Sequence, residues 1–297
     1  MIHEFIASWP LFHNSYLAGA LIGVVLSLIG VFVVARDQIF LGAAVSQAST
    51  LGVALALGLA AWLPGPPRPW LESDVFLSIV AVAFSVAAAL VTGRSGERGR
   101  ESHEAVTGWV FLISAAASVL VVAHSPHGLE EVQRLLASSI LGAERHEVVE
   151  YGILAAVVGL GIVAFRRRLL LLAMDPAMAA AVGMRPAVWS GITFAGLGLV
   201  VGLSIRTSGM LFAFGCLVLP ALAAKNLCRE VQPMWIVSPV VVLVAAGAGF
   251  VVANHYDFPP AQMTVALLGL AVAGAWIARW LLEGTAGILG AKRRRAT

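Results

Sequence analysis

The segment that decides the fold is residues 188–224, which reads VWSGITFAGLGLVVGLSIRTSGMLFAFGCLVLPALAA. It holds two apolar runs, 188–205 and 210–224, and only Arg206-Thr207-Ser208-Gly209 separates them. An α-helix needs about 20 mostly apolar residues to cross the hydrocarbon of a bilayer, with a range of about 17–25. The segment therefore predicts two membrane spans with a very short connection. Either a tight hairpin lies at this connection, or one of the two helices is broken inside the membrane.

Apolar runs of similar length lie on both sides of this segment. They raise the predicted number of spans to nine, with the further runs near 15–34, 44–63, 75–91, 106–123, 148–165, 235–253 and 261–282. The 297 residues are 60% hydrophobic and 12% charged, whereas soluble domains are about 45–50% apolar and about 25% charged. One water-soluble core cannot hide this excess, and disordered chains are poor in apolar residues. We expect an all-α integral membrane protein that forms a single domain over residues 1–297.

The basic residues predict the orientation of the chain, because Lys and Arg concentrate on the cytoplasmic side of membrane proteins. With nine spans and an external N-terminus, the external side keeps only Arg68, Arg134, Arg145 and Arg206. All other Lys and Arg residues then fall on the cytoplasmic side, together with the C-terminus. No basic segment precedes the first apolar run, which argues against a cleaved signal peptide. Because the basic residues lie between apolar runs and not on one face, the net charge of +3 does not indicate a nucleic-acid partner.

Several kinds of chemistry lack the residues that they need. Neither Lys225 nor Lys292 follows the glycine-rich loop that binds phosphates in ATP hydrolases, so we expect no ATP hydrolysis by this chain. The span centres contain almost no ionisable side chains, which ion-coupled carriers generally need. A secondary transporter that works without an ATPase nevertheless stays the alternative function. For an enzyme, Ser204 has a suggestive neighbourhood but no histidine at matching depth, and we expect no enzymatic activity.

Polar residues inside the spans are candidates for a pathway. Ser46, Gln47, Ser49 and Thr50 form a polar turn in the second span. Such side chains also join helices by hydrogen bonds without any part in transport. Pro220 in the seventh span bends its helix, because a proline frees a backbone carbonyl one turn earlier.

Metal ligands could come from the external side of the chain, since imidazole and carboxylate groups suit zinc and similar cations. The external loop carries His124, His127, Glu130, Glu131, Glu144, His146 and Glu147, and His255 and Asp257 follow the eighth span. Histidines and glutamates on a wet loop are usually just solvated. The metal ligands therefore stay unassigned, with His255 and Asp257 as the candidates.

A short cytoplasmic helix is predicted between the fifth and sixth spans. Asp175-Pro176 gives an N-cap followed by proline at the first helical position. Gly183 and Pro186 end the helix.

Four stretches of this chain, in order, carry a family resemblance. They are residues 23–56 with the run GVFVVAR at 30–36 and Gly42 and Gly52; LAMDPAMAAAVG at 172–183; SGMLFAFGCLVLPALAA at 208–224; and Asp257-Phe258-Pro259. Together they resemble the membrane-spanning permease subunits of bacterial zinc, manganese and iron ABC importers. In that family the second stretch corresponds to a cytoplasmic motif in which a glycine follows an aspartate by eight residues.

The resemblance implies an assembly with several partners. Two copies of such a permease form one pathway across the inner membrane, a cytoplasmic ATP-binding subunit docks below, and an extracytoplasmic substrate-binding protein delivers the cargo. The cargo is a zinc, manganese or iron ion or a metal chelate, and no covalently bound cofactor is expected. The resemblance assigns coupling to the ATPase to Asp175, Pro176, Ala177 and Gly183. For the pathway, we expect contributions from Ser46, Gln47, Thr50, Pro220 and Asp257.

The second span departs from the family pattern. The family usually carries an aspartate and, four residues later, a histidine, which face the metal path. The matching positions here are Ala43 and Gln47. Either the cargo is another metal species or a chelate, or other residues supply the ligands.

Overall fold

The computed structural model describes residues 2–62, 70, 73–98, 101–123 and 140–294, and nearly all of these residues are helical. The helices are α1 (Ile2–Ala35), α2 (Leu41–Trp62), α3 (Asp74–Arg98), α4 (His103–Val122), α5 (Arg145–Met174), α6 (Pro176–Ala181), α7 (Pro186–Leu227), α8 (Val231–Tyr256) and α9 (Pro260–Arg294). A single 3₁₀ turn, Ile140–Gly142, precedes α5 in the described part of the chain. The expected all-α membrane fold is therefore confirmed.

The described residues contain 8 helices that are long and apolar enough to cross a membrane, which are all of the above except α6. The sequence predicted nine separate spans, and the difference lies entirely in α7. The predicted runs 188–205 and 210–224 form one continuous stretch of 42 residues. Within it, Gly209 has φ 76° and ψ 167°, which is not helical geometry.

Contacts at its two ends show that α7 folds back on itself at Gly209. Arg36 donates a hydrogen bond to Ser190 Oγ over 3.5 Å, and the Lys225 ammonium donates to the Asp37 carboxylate over 2.5 Å. Both ends of α7 thus reach the same turn between α1 and α2, whereas a straight helix from Ser190 to Lys225 would be roughly 50 Å long. The hairpin alternative is the one that forms. Its first arm is 186–208 and its second arm is 210–227.

Two faces of the molecule can now be named. The Asp37 face carries the α1–α2 turn, both ends of the α7 hairpin, and α6. The Asp74 face carries the starts of α3 and α5 and the apex of the hairpin. The sequence predicts that the Asp37 face is cytoplasmic and the Asp74 face external, and that orientation stays a prediction.

Glycines allow the first arm of α7 to lie close against α3. A Cβ atom added at Gly198 would lie 2.6 Å from Val86 Cα, and one added at Gly202 would lie 2.9 Å from Val82 Cα. Because only glycine leaves this space, the two helix backbones approach as they do at small-residue interfaces in membranes. The Ser85 hydroxyl uses the short separation and donates to the Gly198 carbonyl over 2.7 Å.

Candidate transport pathway and coupling turn

The polar turn predicted in the second span lies near the start of α2. Ser46, Ser49 and Thr50 are buried, and the Thr50 hydroxyl donates to the Ser46 carbonyl over 3.2 Å. The hydroxyl oxygens of Ser46 and Ser49 have no hydrogen-bond partner in the described part of the chain. These three side chains therefore face the interior of a single subunit.

Gln47 has a different environment from its neighbours. Among residues 41–50 of α2 it alone is half-buried, while the others are buried. Leu51, Leu55 and Leu59 continue its face at intervals of four residues. Leu51 and Leu55 are half-buried, and Leu59 is exposed. Ala43 lies one turn before Gln47 and is 5% exposed. Gln47, Leu51, Leu55 and Leu59 therefore form a partly exposed strip on α2. This strip is mostly apolar, and the polar group among these four side chains is the neutral amide of Gln47.

Pro220 lies in the second arm of α7 and is buried. Near it, this arm crosses α1 at close range, because a Cβ atom at Gly30 would lie only 1.8 Å from the Leu217 carbonyl oxygen. Pro220 removes the amide hydrogen that would bind the carbonyl of Cys216 one turn earlier. Within one subunit, Pro220 thus shapes the crossing of two helices and has no open surface.

His255 and Asp257 lie at the Asp74 face, where α8 ends. The His255 ring contacts the Glu4 carboxylate over 2.5 Å and so joins α8 to the start of α1. Asp257 is exposed, has a positive φ of 53°, and ends α8 with its amide bound to the Ala253 carbonyl. No group of three or more His, Cys, Asp or Glu side chains in the described residues is arranged to hold a metal ion. The structure therefore does not bring these two candidates together with a third ligand.

The predicted ligands of the external loop are only partly described. His124, His127, Glu130 and Glu131 lie outside the described residues. His146 lies 3.4 Å from Glu144, with both side chains mostly exposed, and the Glu147 carboxylate accepts a hydrogen bond from Thr207 over 2.7 Å.

The short helix α6 forms as predicted. The Asp175 carboxylate accepts a hydrogen bond from the Met178 amide over 2.9 Å, and Pro176 occupies the first helical position. Gly183 has φ 84°, and its own amide and that of Met184 bind the carbonyls of Ala180 and Ala179 over 3.0 Å each. This arrangement is a Schellman motif, in which glycine is favoured because its φ is positive. A compact turn with a fixed shape results.

The outer side of this turn is apolar and open to a partner. Met174, Met178 and Val182 are 67%, 52% and 63% exposed. Ala177 and Gly183 are exposed as well, and Pro176 is half-buried. Inward, Ala179 and Leu172 are fully buried and attach the turn to the rest of the fold. Exposed apolar groups on a fixed turn are typical of a protein contact.

A polar cluster at the hairpin apex was not predicted from the sequence. The Arg206 guanidinium binds Asp74 and Ser78 at the start of α3. The Thr207 hydroxyl contacts Tyr151 Oη over 3.0 Å, and Tyr151 Oη donates to the Leu203 carbonyl over 2.9 Å. These bonds fix the first arm of α7 to α3 and α5. The sequence does contain one signal for this cluster. Arg206 is a charged residue in the four-residue connection between two apolar runs, where it needs polar partners.

A second unpredicted feature is a cavity of about 450 Å³ at the Asp37 face. It lies between the α1–α2 turn and the start of α4, and its lining includes Gln38, Phe40, His103 and Thr107. The side-chain oxygen of Gln38 and both ring nitrogens of His103 are buried without a hydrogen bond of ordinary geometry. The cavity adjoins the beginning of α2, the helix that carries Ala43 and Gln47.

The fold and these surfaces define a multi-pass membrane permease with a fixed turn available to a partner. The chain belongs to the ABC 3 transport family, whose family model matches residues 8–278. It is 24% identical over 249 residues to the manganese transport system membrane protein MntB of Synechocystis, covering 84% of this chain and 76% of that protein. It is 23% identical over 250 residues to the chelated iron transport system membrane protein YfeD of Yersinia pestis, covering 84% of this chain and 79% of that protein.

A solved structure shows the same fold. The chain superposes on PsaBC from Streptococcus pneumoniae in complex with Fab with a TM-score of 0.76. The match covers 93% of this chain and 95% of that chain, at 20% sequence identity. The family resemblance inferred from the four sequence stretches is thus confirmed, and so is the assignment to a transport subunit of the membrane.

Proposed function

We propose that this chain is the permease subunit of an ABC importer for a divalent metal ion or a metal chelate. Two copies form the pathway, a separate cytoplasmic subunit hydrolyses ATP, and an extracytoplasmic binding protein delivers the cargo. The observation that carries the proposal is the fixed turn at Asp175–Gly183, which combines a rigid backbone with an apolar outer side. Relatives named for manganese and chelated iron transport support the metal cargo.

Asp175, Pro176, Ala177 and Gly183 act in this proposal as the contact with the ATPase. Asp175 and Pro176 start α6, Gly183 ends it, and the methionine side chains of the turn supply adaptable apolar area. A turn with a fixed shape transmits movement of the ATPase to α5 and α7, which directly precede and follow it.

The test is transport in reconstituted vesicles. Vesicles that contain the permease, its ATPase and its binding protein should take up radiolabelled manganese, iron or zinc only when ATP is supplied. Vesicles that contain the permease alone, with a proton or sodium gradient, should take up none. Gradient-driven uptake by the permease alone would instead support the ion-coupled secondary transporter.

The strip on α2 favours a chelate, or another weakly coordinated metal species, over a bare ion. A bare transition metal needs transient nitrogen or oxygen ligands that hold it loosely enough to leave. Ala43 supplies no ligand, Gln47 supplies a neutral amide, and leucines follow along the same face. Ser46 and Thr50 contribute to the pathway only if α2 turns them from the interior toward it.

Restoring the family's residue pair tests this choice of cargo. The double variant Ala43→Asp with Gln47→His should shift uptake toward bare zinc or manganese, or block uptake by holding the ion too tightly. The matched control, Ala43→Asn with Gln47→Leu, has similar side-chain sizes but adds neither carboxylate nor imidazole. Unaltered rate and selectivity in the first double variant would show that this face of α2 does not line the pathway.

A further inference from the structure

Four arginines, called here the arginine cluster, lie toward the end of α5 and at the start of α7 on the Asp37 face. Arg166, Arg167 and Arg168 lie on α5, Arg185 is the N-cap of α7, and all four are exposed. In the described part of the chain, no ion pair joins any of them to a carboxylate. Asp175, the acidic residue nearest to them along the chain, is engaged in capping α6. Within the described residues, this arginine cluster thus carries four positive charges that no carboxylate pairs with.

Aromatic side chains hold one member of the cluster in place. The Arg168 guanidinium carbon lies 5.1 Å from the centre of the Trp189 ring and 5.9 Å from that of Phe165. The two rings are themselves 5.1 Å apart, so they join α5 to the first turn of α7. Tryptophan is enriched at the level of the lipid headgroups, where its ring has an apolar body and a polar edge. The ring contact of Phe165 with Trp189 therefore joins the two helices independently of charge, and cation–π attraction holds the Arg168 guanidinium on these rings.

Below the cluster, the protein offers an apolar wall to the bilayer. Only 6% of the membrane-crossing part of α5 is buried, the smallest share among the eight long helices described. Val163 on α5 and Val188 and Ile192 on α7 are 70%, 51% and 59% exposed. Acyl chains can lie along this wall while a headgroup reaches the guanidinium groups.

We propose that the arginine cluster binds an anionic phospholipid of the leaflet at the Asp37 face. The lipid phosphate accepts hydrogen bonds from guanidinium groups, which match phosphate oxygens in pairs. The acyl chains pack on Val163, Val188 and Ile192. Basic pockets between membrane helices on the cytoplasmic side are known to bind such headgroups. A bound lipid would then connect α5 and α7 on either side of α6.

The experiment measures lipid binding to the purified full chain by native mass spectrometry. The probes are palmitoyl-oleoyl phosphatidylglycerol, which is anionic, and palmitoyl-oleoyl phosphatidylcholine, which has no net charge. The wild-type chain should retain phosphatidylglycerol in preference. The double variant Arg167→Gln with Arg168→Gln should lose affinity for it by about fivefold per arginine removed. Trp189→Leu, which keeps all four charges but removes the ring below Arg168, should lose less.

A matched control separates this site from general surface charge. Arg94→Gln with Arg229→Gln removes two exposed arginines from other segments of the predicted cytoplasmic side, and phosphatidylglycerol binding should stay unchanged. Equal retention of the two lipids, or an equal loss in the control, would overturn the proposal. Displacement of the lipid by millimolar inorganic phosphate would also overturn it, since a free phosphate would then be the ligand.

A second copy of the chain is another occupant that this surface could have, and the ATPase proposed to dock on α6 is absent from the purified full chain used in this experiment. In a background with Cys216→Ala and Cys228→Ser, Val163→Cys should form no disulfide with its counterpart under oxidation. An efficient cross-link between two copies at this position would show that protein, and not lipid, covers the wall.

Discussion

In the described part of the chain, two turns are built on glycines with positive φ, and the two are held in different ways. Gly209 forms the apex of the α7 hairpin at the Asp74 face, and Gly183 ends α6 at the Asp37 face. Side chains from α3 and α5 bind the residues just before Gly209. The Gly183 turn is closed by its own backbone, and a Cβ atom at Gly183 would have no atom within 4 Å.

This difference indicates that the two glycine turns have different functions, although both depend on a positive φ. The Gly209 turn is part of the internal framework, because its residues are fixed by contacts within one chain. The Gly183 turn keeps its shape by itself and leaves its outer side free. A change at Gly209 should therefore affect folding first, whereas a change at Gly183 should affect communication with a partner.

The orientation of the two turns gives an all-or-none test. In a background without Cys216 and Cys228, single cysteines at Ser73 and Asn254, which belong to the Asp74 face, should react with an impermeant thiol reagent applied to intact cells. A cysteine at Ser102, on the Asp37 face, should not react until the cells are broken. Reaction at Ser102 in intact cells would reverse the assignment of the two turns to their sides.

Gly209→Ala should produce the largest change in stability. The pair φ 76° and ψ 167° lies in a region that is essentially restricted to glycine, and forcing another residue into it costs about 1–3 kcal/mol. The matched control is Gly196→Ala, in the first arm of α7 with open space around it. That change should maintain or raise stability, because alanine favours helix by about 1 kcal/mol over glycine. The midpoint of thermal unfolding in detergent is the measurement, and equal midpoints for the two variants would contradict the assignment of strain to Gly209.

Gly183→Trp should leave the protein in the membrane but separate ATP hydrolysis from transport. The bulky ring projects from the outer side of the turn, where the ATPase is proposed to dock. Gly183→Asn is the control, since asparagine tolerates positive φ better than other side chains, and it should keep most of the transport. Uptake and ATPase activity are measured side by side in vesicles. Normal transport by Gly183→Trp would show that residues 172–183 are not the coupling segment.

Asp74→Asn should have the smallest effect on the hairpin. The Asp74 side chain is 90% exposed while that of Arg206 is 16% exposed, and exposed ion pairs contribute about 0.2–1 kcal/mol. The free energy of unfolding should therefore fall by less than about 1 kcal/mol. Exchanging the charges, with Asp74→Arg and Arg206→Asp together, should recover part of the loss caused by Arg206→Asp alone. If no recovery is measured, the backbone and Ser78 contacts of Arg206 hold the apex, and the charge does not.

Local signals in the sequence predicted the local structure well. Asp175-Pro176 and Gly183 marked both ends of α6, because capping chemistry depends on neighbouring residues only. Runs of apolar residues located the membrane helices, since length and polarity suffice for that purpose. The helices themselves extend further than the runs: α1 begins at Ile2 and α5 continues to Met174, past the three arginines. Helical hydrogen bonding does not end where hydrophobicity ends.

Contacts between distant parts of the chain could not be read in the same way. His255 was a metal candidate on its residue type, yet it pairs with Glu4, which lies 251 residues earlier. The sequence predicts that the polar residues of α2 form one group in a similar environment. In the structure, Ser46 and Thr50 are buried, whereas Gln47 is only half-buried. No local pattern contains such information, because it depends on how the helices are arranged around α7. The role of these residues in transport stays a prediction.

The bond between Asp37 and Lys225 has a consequence for the synthesis of the protein. The two residues are 188 positions apart, and ribosomes add about 5–20 residues per second. The first helix therefore emerges on the order of 10–40 s before the partners of its C-terminal end exist. During that time α1, which is 67% buried in its membrane-crossing part of the finished fold, must be shielded by lipid or by the insertion machinery. Ser27 is a polar residue of α1 that is buried in the final structure. Until α8 is inserted, it too must be surrounded by lipid or by the insertion machinery.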